Sequence, residues 1–594
     1  MTVVQELSAL DAAIEAGTQR LLELQHPGGW WVGELESNAT MVAEHLFWLH
    51  FMGLRDARTD EKLANEILAR RRDDGTWSNW FEGPPDLSTT IESYVALKMA
   101  GVDAGEATRD YIRRRGGIPR ARVFTRCFLA LLDQWPWQKI PPAPPEIVLL
   151  PPWSPFSIYN LACWARQTVV PLSVVMAVRT SRPAGVDLRE IGAQPGETRP
   201  APRPGPVRRR AIAAAERWVR ERQELDGGWG GIQPPWVWSI LMLATLGYGF
   251  EDEQLRAAVE GWGGFLVDEG DRLRPEACQS PTWDTGLALL GLRACGVPAD
   301  HPQLVKAGEW LLGEEIRQRG DWSVRVPDLD PGGWAFEFEN DTYPDVDDVA
   351  VICLALRELE LGEDALDRGL EWMAGMQCSD GGWGAFDVDN TSQWLYRVPF
   401  FDFGAVIDPP SEDVAGHAVE AFAHYPRYAE TTRRGLDYLL REQQEDGSWW
   451  GRWGVNHVYG TAAVLPALEA CGLGHDHPAF RRAVGWLDSV QAENGGFGED
   501  IRSYHEREWR GRGVPTASQT AWGVLAYVAA GETERASVRR AADHLCASQL
   551  DNGDWEEQHY TGTGFPTDFM IRYHLYRLHF PLIALGRLRE RLNA

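Results

Sequence analysis

The chain has 594 residues, of which 44% are hydrophobic and 24% charged. That is the balance of a large globular protein with room for two or more domains. A formal net charge of −28 argues against a nucleic-acid partner and, on average, against an anionic membrane surface, although a local patch can still dock there.

The N-terminal stretch MTVVQELSALDAAIEAGTQRLL reads as an amphipathic helix, without the basic start or cleavage site of a signal peptide. A motif then begins to recur. LLELQHPGGW ends at Trp30 and ILARRRDDGTW at Trp77 as weak copies, and AAAERWVRERQELDGGW ends at Trp229 as a full one. Between them, VRTSRPAGVDLREIGAQPGETRPAPRPGPVRRR, near 178–208, is rich in Pro, Gly and Arg and has no periodicity, so it reads as a loop or linker. The longest apolar run, PPWVWSILMLATLGYGF near 234–250, is too short and too Pro-flanked to span a bilayer. Further copies end at Trp383, Trp449, Phe497 and Trp555.

Each copy is a helix, a Gln near its end, an acidic Gly turn and an aromatic. Gly suits the left-handed residue that closes a helix, and the Gln amide can reach open carbonyls there or on the next helix. The spacing leaves room for a helix pair per unit, which predicts an all-α repeat fold of helix pairs wrapped into barrels. GVPADHPQLVKA and GLGHDHPAFRRA place Pro early in the following helix. The repeats account for helix clipping, yet many of the 28 tryptophans lie outside them. The eight cysteines include no CxxC pair and sit mostly in apolar helical contexts, which predicts structural thiols in a reducing compartment.

One segment carries chemistry. YPDVDDVAVICLAL places Asp345, Asp347 and Asp348 at the edge of a buried helix. One Asp there is an ordinary helix start. Three raise one another's pKa, so at least one holds a proton near neutrality, and a protonated buried carboxyl is a general acid. In DPPSEDVAGHAVEAF, Asp413 and His417 are four apart and share a helix face. Asp413 is expected to hold the imidazole, leaving His417 to bond a carboxyl of the cluster. A Mg²⁺ site would want a second acidic motif such as DDxxD, which the chain lacks, and there is no HExxH, Walker loop, GxSxG or zinc spacing.

The blocks DVDD, GGIQPPW, SPTWDTGL, PGGWAFEFEN, GGWGAFDVDN, PPSEDV, GRWGVNHVYGT and YTGTGFPTDF, together with the Gln-to-Trp repeats, run nearly end to end. In that order they resemble the squalene–hopene cyclases, class II triterpene cyclases. The resemblance implies two α/α-barrel domains, 16–277 inserted into a catalytic barrel of 1–15 with 278–594, and a cavity between them. It implies protonation of a terminal alkene of a polyprenyl hydrocarbon, squalene first, and polycyclisation to hopene or hopanol. It implies no metal or organic cofactor, a homodimer, and a cytoplasmic protein that can lie peripherally on the inner face of the cell membrane.

By residue, Asp347 matches the family's proton donor, Asp345 and Asp348 its flanking acids, and His417 the histidine that sharpens it, with Asp413 behind. Trp164, Trp283, Phe336, Trp453, Phe565 and Phe569 match aromatics that face substrate. Tyr459, Tyr573 and Tyr576 match tyrosines around the acid and the growing rings. Glu44, Glu92, Arg126 and Gln233 match the polar end where the last cation loses a proton or captures water. Leu161, Val169, Phe400 and Phe401 match a channel constriction.

The chemistry explains the aromatic content. An alkene is a very poor base, and a free Asp has a pKa of about 3.9, so the acid must be desolvated and the product cation stabilised as it forms. Aromatic faces stabilise cations by roughly 0.5–2 kcal/mol each without attacking them. Four features depart from the family. Phe401 stands in the constriction where Cys is common, Phe386 stands where Tyr is usual, Trp238 replaces a Tyr, and the usual amphipathic membrane helix gives way to the Pro-rich segment, which leaves room for a smaller polyprene. The alternatives are therefore a class II cyclase of a di-, sesquar- or meroterpene precursor and, remotely, an α/α-barrel glycoside hydrolase. The latter needs two carboxylates about 5–10 Å apart across a cleft, and adjacent ones fit it poorly.

Overall fold

The computed structural model describes residues 3–566 and 568–593. After α1 (Val3–Glu23) come α2 (Ala39–Met52), α3 (Ala57–Ala69), α4 (Leu87–Met99), α5 (Glu106–Arg114), α6 (Val123–Leu131), α7 (Cys163–Val178), α8 (Pro206–Arg220), α9 (Gln233–Thr245) and α10 (Glu253–Gly261). The chain continues with α11 (Pro281–Ala294), α12 (Pro302–Gly313), α13 (Val346–Leu359), α14 (Glu363–Gly375), α15 (Glu412–Ala423) and α16 (Ala429–Glu442). It ends with α17 (His457–Ala470), α18 (Pro478–Val490), α19 (Ala517–Ala529), α20 (Ala536–Ser548) and α21 (Tyr576–Asn593).

Two compact units result. The first comprises 1–35, 279–390 and 408–594, and the second 36–278 and 391–407. In the first, α11, α13, α15, α17, α19 and α21 each touch the next, and α21 returns to α11, closing an inner ring. Helices of this ring are apolar nearly all round, as α17 shows by burying every residue from His457 to Leu468. A helix of that kind must be enclosed on all sides. The intervening α12, α14, α16, α18 and α20, with α1, form the outer layer and are amphipathic: α16 buries Tyr438 and Leu439 and exposes ion pairs such as Arg433–Asp437. In the second unit, α2 touches α4 and α9, α4 touches α6, and α9 touches α7, with α3, α5, α8 and α10 outside.

The repeated motif is a clip between outer helices. Each Gln donates from Nε2 to the carbonyl four residues on and to one near the start of the next outer helix. Gln443 reaches Gly447 O at 2.8 Å and Ala479 O at 2.9 Å, Gln491 reaches Gly495 and Ser537, and Gln377 reaches Gly381 and Thr431. Gln549 reaches Ala13 O in α1 at 3.0 Å, which ties the last copy to the first outer helix. Gly447 has φ 100°, and a Cβ there would lie 2.5 Å from Arg482 O, so only Gly permits the approach. Trp77, Trp229, Trp383, Trp449 and Trp555 each donate the indole N–H to a carbonyl ten residues back, at 2.6–2.8 Å. In the first copy this residue is Trp31, bonded to Leu21 O at 2.7 Å, and not Trp30, which stacks on His26. Gln443→Ala removes these two bonds and the one its Oε1 accepts from Arg482, and strands two partly buried carbonyls. Calorimetry should show a loss of about 1–3 kcal/mol with the overall helix content unchanged.

The two Pro-led helices begin as expected, Pro302 and Pro478 standing first in α12 and α18 behind His301 and His477 caps. The expected domain boundary at 15/16 falls inside α1. That helix belongs to the first unit because it packs on α20 and α21 and because Gln25 bonds Gln303 O at 2.8 Å. Residues 391–407 join the second unit, where Ala162 N donates to Val406 O and Asp402 accepts from Val123 N. The Pro-rich segment is strapped down: Arg182, Ala184 and Gln194 donate to the carbonyls of Leu131, Leu132 and Gln134, and Leu188 and Ile191 are buried. The few strands include an antiparallel hairpin, Gly562–Phe565 with Phe569–Tyr573, in register Thr563 to Met570 with an irregularity before Phe565.

Candidate active site

In the first unit, the N-terminal two turns of the inner helices carry Trp283 (α11), Asp347 and Asp348 (α13), His417 (α15), Tyr459 (α17), Trp522 (α19) and Tyr576 (α21). The acids are placed by an ordinary helix start. Asp345 is the N-cap of α13, and its Oδ1 accepts from Asp347 N at 2.7 Å. Asp345, Asp347 and Asp348 are 6%, 5% and 1% exposed, so three carboxyls share a dry site. Burial, then the neighbouring carboxyls, hold Asp345 and Asp348 well above the usual range, which favours the protonated form of each. Thr282 Oγ1 reaches Asp348 Oδ1 at 3.3 Å, while Asp348 Oδ2 is buried without a partner.

His417 Nδ1 lies 2.6 Å from Asp347 Oδ1. Burial works against the imidazolium, but the charge of Asp347 and its hydrogen bond outweigh it, and the His417 pKa rises. An imidazolium donating to Oδ1 confines any Asp347 proton to Oδ2, and its charge stabilises the carboxylate left when that proton departs.

Asp413 does not hold the imidazole by a hydrogen bond. Its Oδ2 accepts from Arg452 N and Trp453 N, both at 2.8 Å, because the 451–453 turn brings two amides over the start of α15. It acts on His417 only as a nearby charge.

Aromatics enclose the pair. The rings of Trp283 and Tyr459 lie 6.1 and 6.2 Å from that of His417. Trp283 Nε1 donates to Tyr576 Oη at 3.0 Å, Tyr573 stacks on Tyr576 at 4.1 Å, and Phe336 meets Tyr573 edge-on at 6.3 Å. Burial pushes the Tyr459 and Tyr576 hydroxyls well above their ordinary value, so both stay neutral. Phe386 with Trp453 (6.2 Å) and Phe565 with Phe569 (5.6 Å) form two further pairs. Asp408 sets Phe386 by accepting its N–H at 2.7 Å.

Residues of the second unit fall into two groups. Gln233 Nε2 donates to Glu44 Oε2 at 3.0 Å, and Thr125 bonds Glu92. Burial, then the charge of Glu92, raises Glu44 strongly, and burial lifts Glu92 to about 7 against the pull of Arg122. Arg126 stands apart from these, 3.7 Å from Asp402. The second group is apolar. Trp164 Nε1 donates to Ala405 O at 2.8 Å, Leu161 and Val169 are buried on or beside α7, and Phe400 packs edge-on against Phe401 at 5.6 Å. Trp238 packs 4.7 Å from Phe128.

Three residues were missed from sequence. Trp522 lies 4.7 Å from Tyr459 and 6.2 Å from Tyr576, Thr282 bonds Asp348, and Arg122 is the cation that Glu44 and Glu92 feel. Thr282 precedes Trp283 directly, a signal that was available. Trp522 sits in an apolar helix stretch and looks like core.

The squalene-hopene cyclase C-terminal domain profile matches residues 279–590, and the N-terminal domain profile matches 14–204 and 198–271. The squalene–hopene cyclase of Alicyclobacillus acidocaldarius is 44% identical over 99% of both chains. That of Bradyrhizobium diazoefficiens is 38% identical over 99% of this chain and 96% of its own. A dammaradiene synthase of Dryopteris crassirhizoma is 36% identical over 98% and 94%. Among solved structures, an ent-copalyl diphosphate synthase from Streptomyces platensis shares the fold, with a TM-score of 0.55 and 16% identity over 97% of this chain and 99% of that one.

Proposed function

This chain belongs to the squalene–hopene cyclase family, and from that premise we propose that it protonates a terminal alkene of squalene and cyclises it to hopene- or hopanol-type pentacycles. It is a terpene cyclase. The observation that carries the reading is the buried Asp347–His417 pair, with the buried Asp345 and Asp348 beside it and Trp283, Tyr459, Tyr573, Tyr576 and Phe336 around it. Asp347 is the proton donor in this proposal. Its proton moves from carboxyl oxygen to the CH carbon of the terminal double bond, the alkene π pair forms the new C–H bond, and a tertiary cation is left on the dimethyl-bearing carbon. Each following alkene attacks the cation in turn, closing a ring and passing the charge on. Loss of a proton at the end makes the reaction a net isomerisation, and capture of water gives the alcohol. Trp164, Trp283, Phe336, Phe386, Trp453, Phe565 and Phe569 are proposed to face substrate, Glu44, Glu92, Arg126 and Gln233 to serve the terminating step, and Leu161, Val169, Phe400 and Phe401 to line the entry channel. The residues call for no cofactor in this chemistry.

Incubating the purified protein with squalene and resolving the extract by mass spectrometry tests the reading. A pentacyclic isomer or its hydrate is the expected product. Unconsumed squalene, with turnover of a shorter polyprene instead, would move the assignment to another substrate of the same class.

Peripheral membrane contact and a homodimer belong to the same proposal. Among the described residues no helix is long and apolar enough to cross a membrane. The second unit does expose Trp153 (83%) and Phe156 (62%), the latter edge-on to Trp394 at 5.1 Å. Such an apolar pair suits a lipid interface. Replacing both by Ser should weaken binding to neutral phospholipid vesicles about tenfold; unchanged co-sedimentation would remove this patch from the account. Sedimentation velocity measures the dimer.

A further inference from the structure

Trp453 carries a feature that its proposed role does not explain. The Arg452 guanidinium carbon lies 4.5 Å from the Trp453 ring centroid. Arg452 is 3% exposed, while Trp453 is half-buried. The guanidinium therefore stands over the indole ring from a buried position. Both residues are fixed from the backbone, since Asp413 Oδ2 holds both N–H groups at 2.8 Å. The partner ring is fixed in the same way. Asp408 holds the N–H groups of Phe386 and Asp387 at 2.7 and 3.0 Å, and Phe386 meets Trp453 edge-on. Asp408 also feels the charge of Arg452, so the guanidinium is anchored electrostatically. Trp283 is different: its N–H is spent on Tyr576, and among the described residues no guanidinium or ammonium stands over its ring.

An aromatic face attracts a cation through its quadrupole. A ring already covered by one cation offers less to a second, and the first charge repels the second through the ring. Within the cyclase reading proposed above, on which this rests, Trp453 is then a wall that shapes the chain without holding the charge. We infer that Arg452 is a positioning residue that keeps the migrating positive charge from resting beside Trp453, so that ring closure runs past this point instead of ending there.

The test is the product profile from squalene for the wild-type protein, R452M, R452K, W453L and R452M/W453L. R452M is expected to raise the share of partially cyclised isomers about threefold or more, each formed when the stalled cation loses a proton to give an alkene. R452K keeps the charge and should restore the wild-type profile. In the W453L background R452M should add no further change, as a double-mutant cycle requires of a pair acting together. A wild-type profile for R452M, an equal shift for R452K, or a shift that persists without the indole would each overturn the inference. Should R452M not fold, R452Q, which also removes the charge, takes its place: a rise in partial cyclisation that R452K does not show supports the inference, and a wild-type profile overturns it. Failure of the cyclase reading is seen separately, as unconsumed squalene in the wild-type arm.

Discussion

Asp347→Asn should reduce cyclisation by about 10⁴-fold or more, the upper end of what a general acid contributes, because no other step generates the first cation. The amide has no proton acidic enough for an alkene. The fold should survive: the side chain keeps its size, and the Asp347 N–H to Asp345 Oδ1 bond that caps α13 is untouched. Circular dichroism and thermal unfolding of the variant check that point. Asp345→Asn makes a sharper comparison, since Asn caps helices as well as Asp does. Its expected loss is smaller, about 10²-fold, and reflects only the missing carboxyl proton. Activity in Asp347→Asn close to wild type would remove Asp347 as the donor and throw the role to Asp345 or Asp348.

Much of this arrangement was legible because it is local. The Gln–Gly–Trp motif is a clip within one helix end, and its spacing survives in the sequence. Counting six residues from Gln25 would have given Trp31 rather than Trp30, since Gln443 to Trp449 and Gln549 to Trp555 keep that interval. The acid cluster was legible for the same reason: a cap and the first turn of α13 are contiguous. What stayed hidden depends on chain segments that meet only in the fold. Asp413 finds its amides 39 and 40 residues on. Residues 391–407 join the second unit through bonds to Ala162 and Val123. Trp522 and Arg122 have no local signature, because an aromatic on an inner helix and an arginine beside a loop have many ordinary uses.

The second large effect concerns His417 and pH. Its pKa is raised in the folded protein, against burial, by Asp347. A raised histidine contributes stability that is complete below the unfolded value of about 6.5 and is lost as pH rises through the folded value. Asp345 and Asp348 are raised too, and their contribution also falls with rising pH, so the signs agree. Turnover and melting temperature should therefore both hold on the acidic side and decline together on the alkaline side. His417→Gln separates the groups. It removes the charge that stabilises the Asp347 carboxylate, and turnover should fall about 10²- to 10³-fold. It also removes the histidine's own titration, so whatever alkaline decline remains comes from the raised buried acids, Asp345 and Asp348 among them. A pH–rate profile for this variant with the wild-type shape and height would show that the imidazole takes no part in proton delivery. A profile that is lower and displaced would place the second proton of the site on His417 Nδ1, where 2.6 Å separates it from the acid it serves.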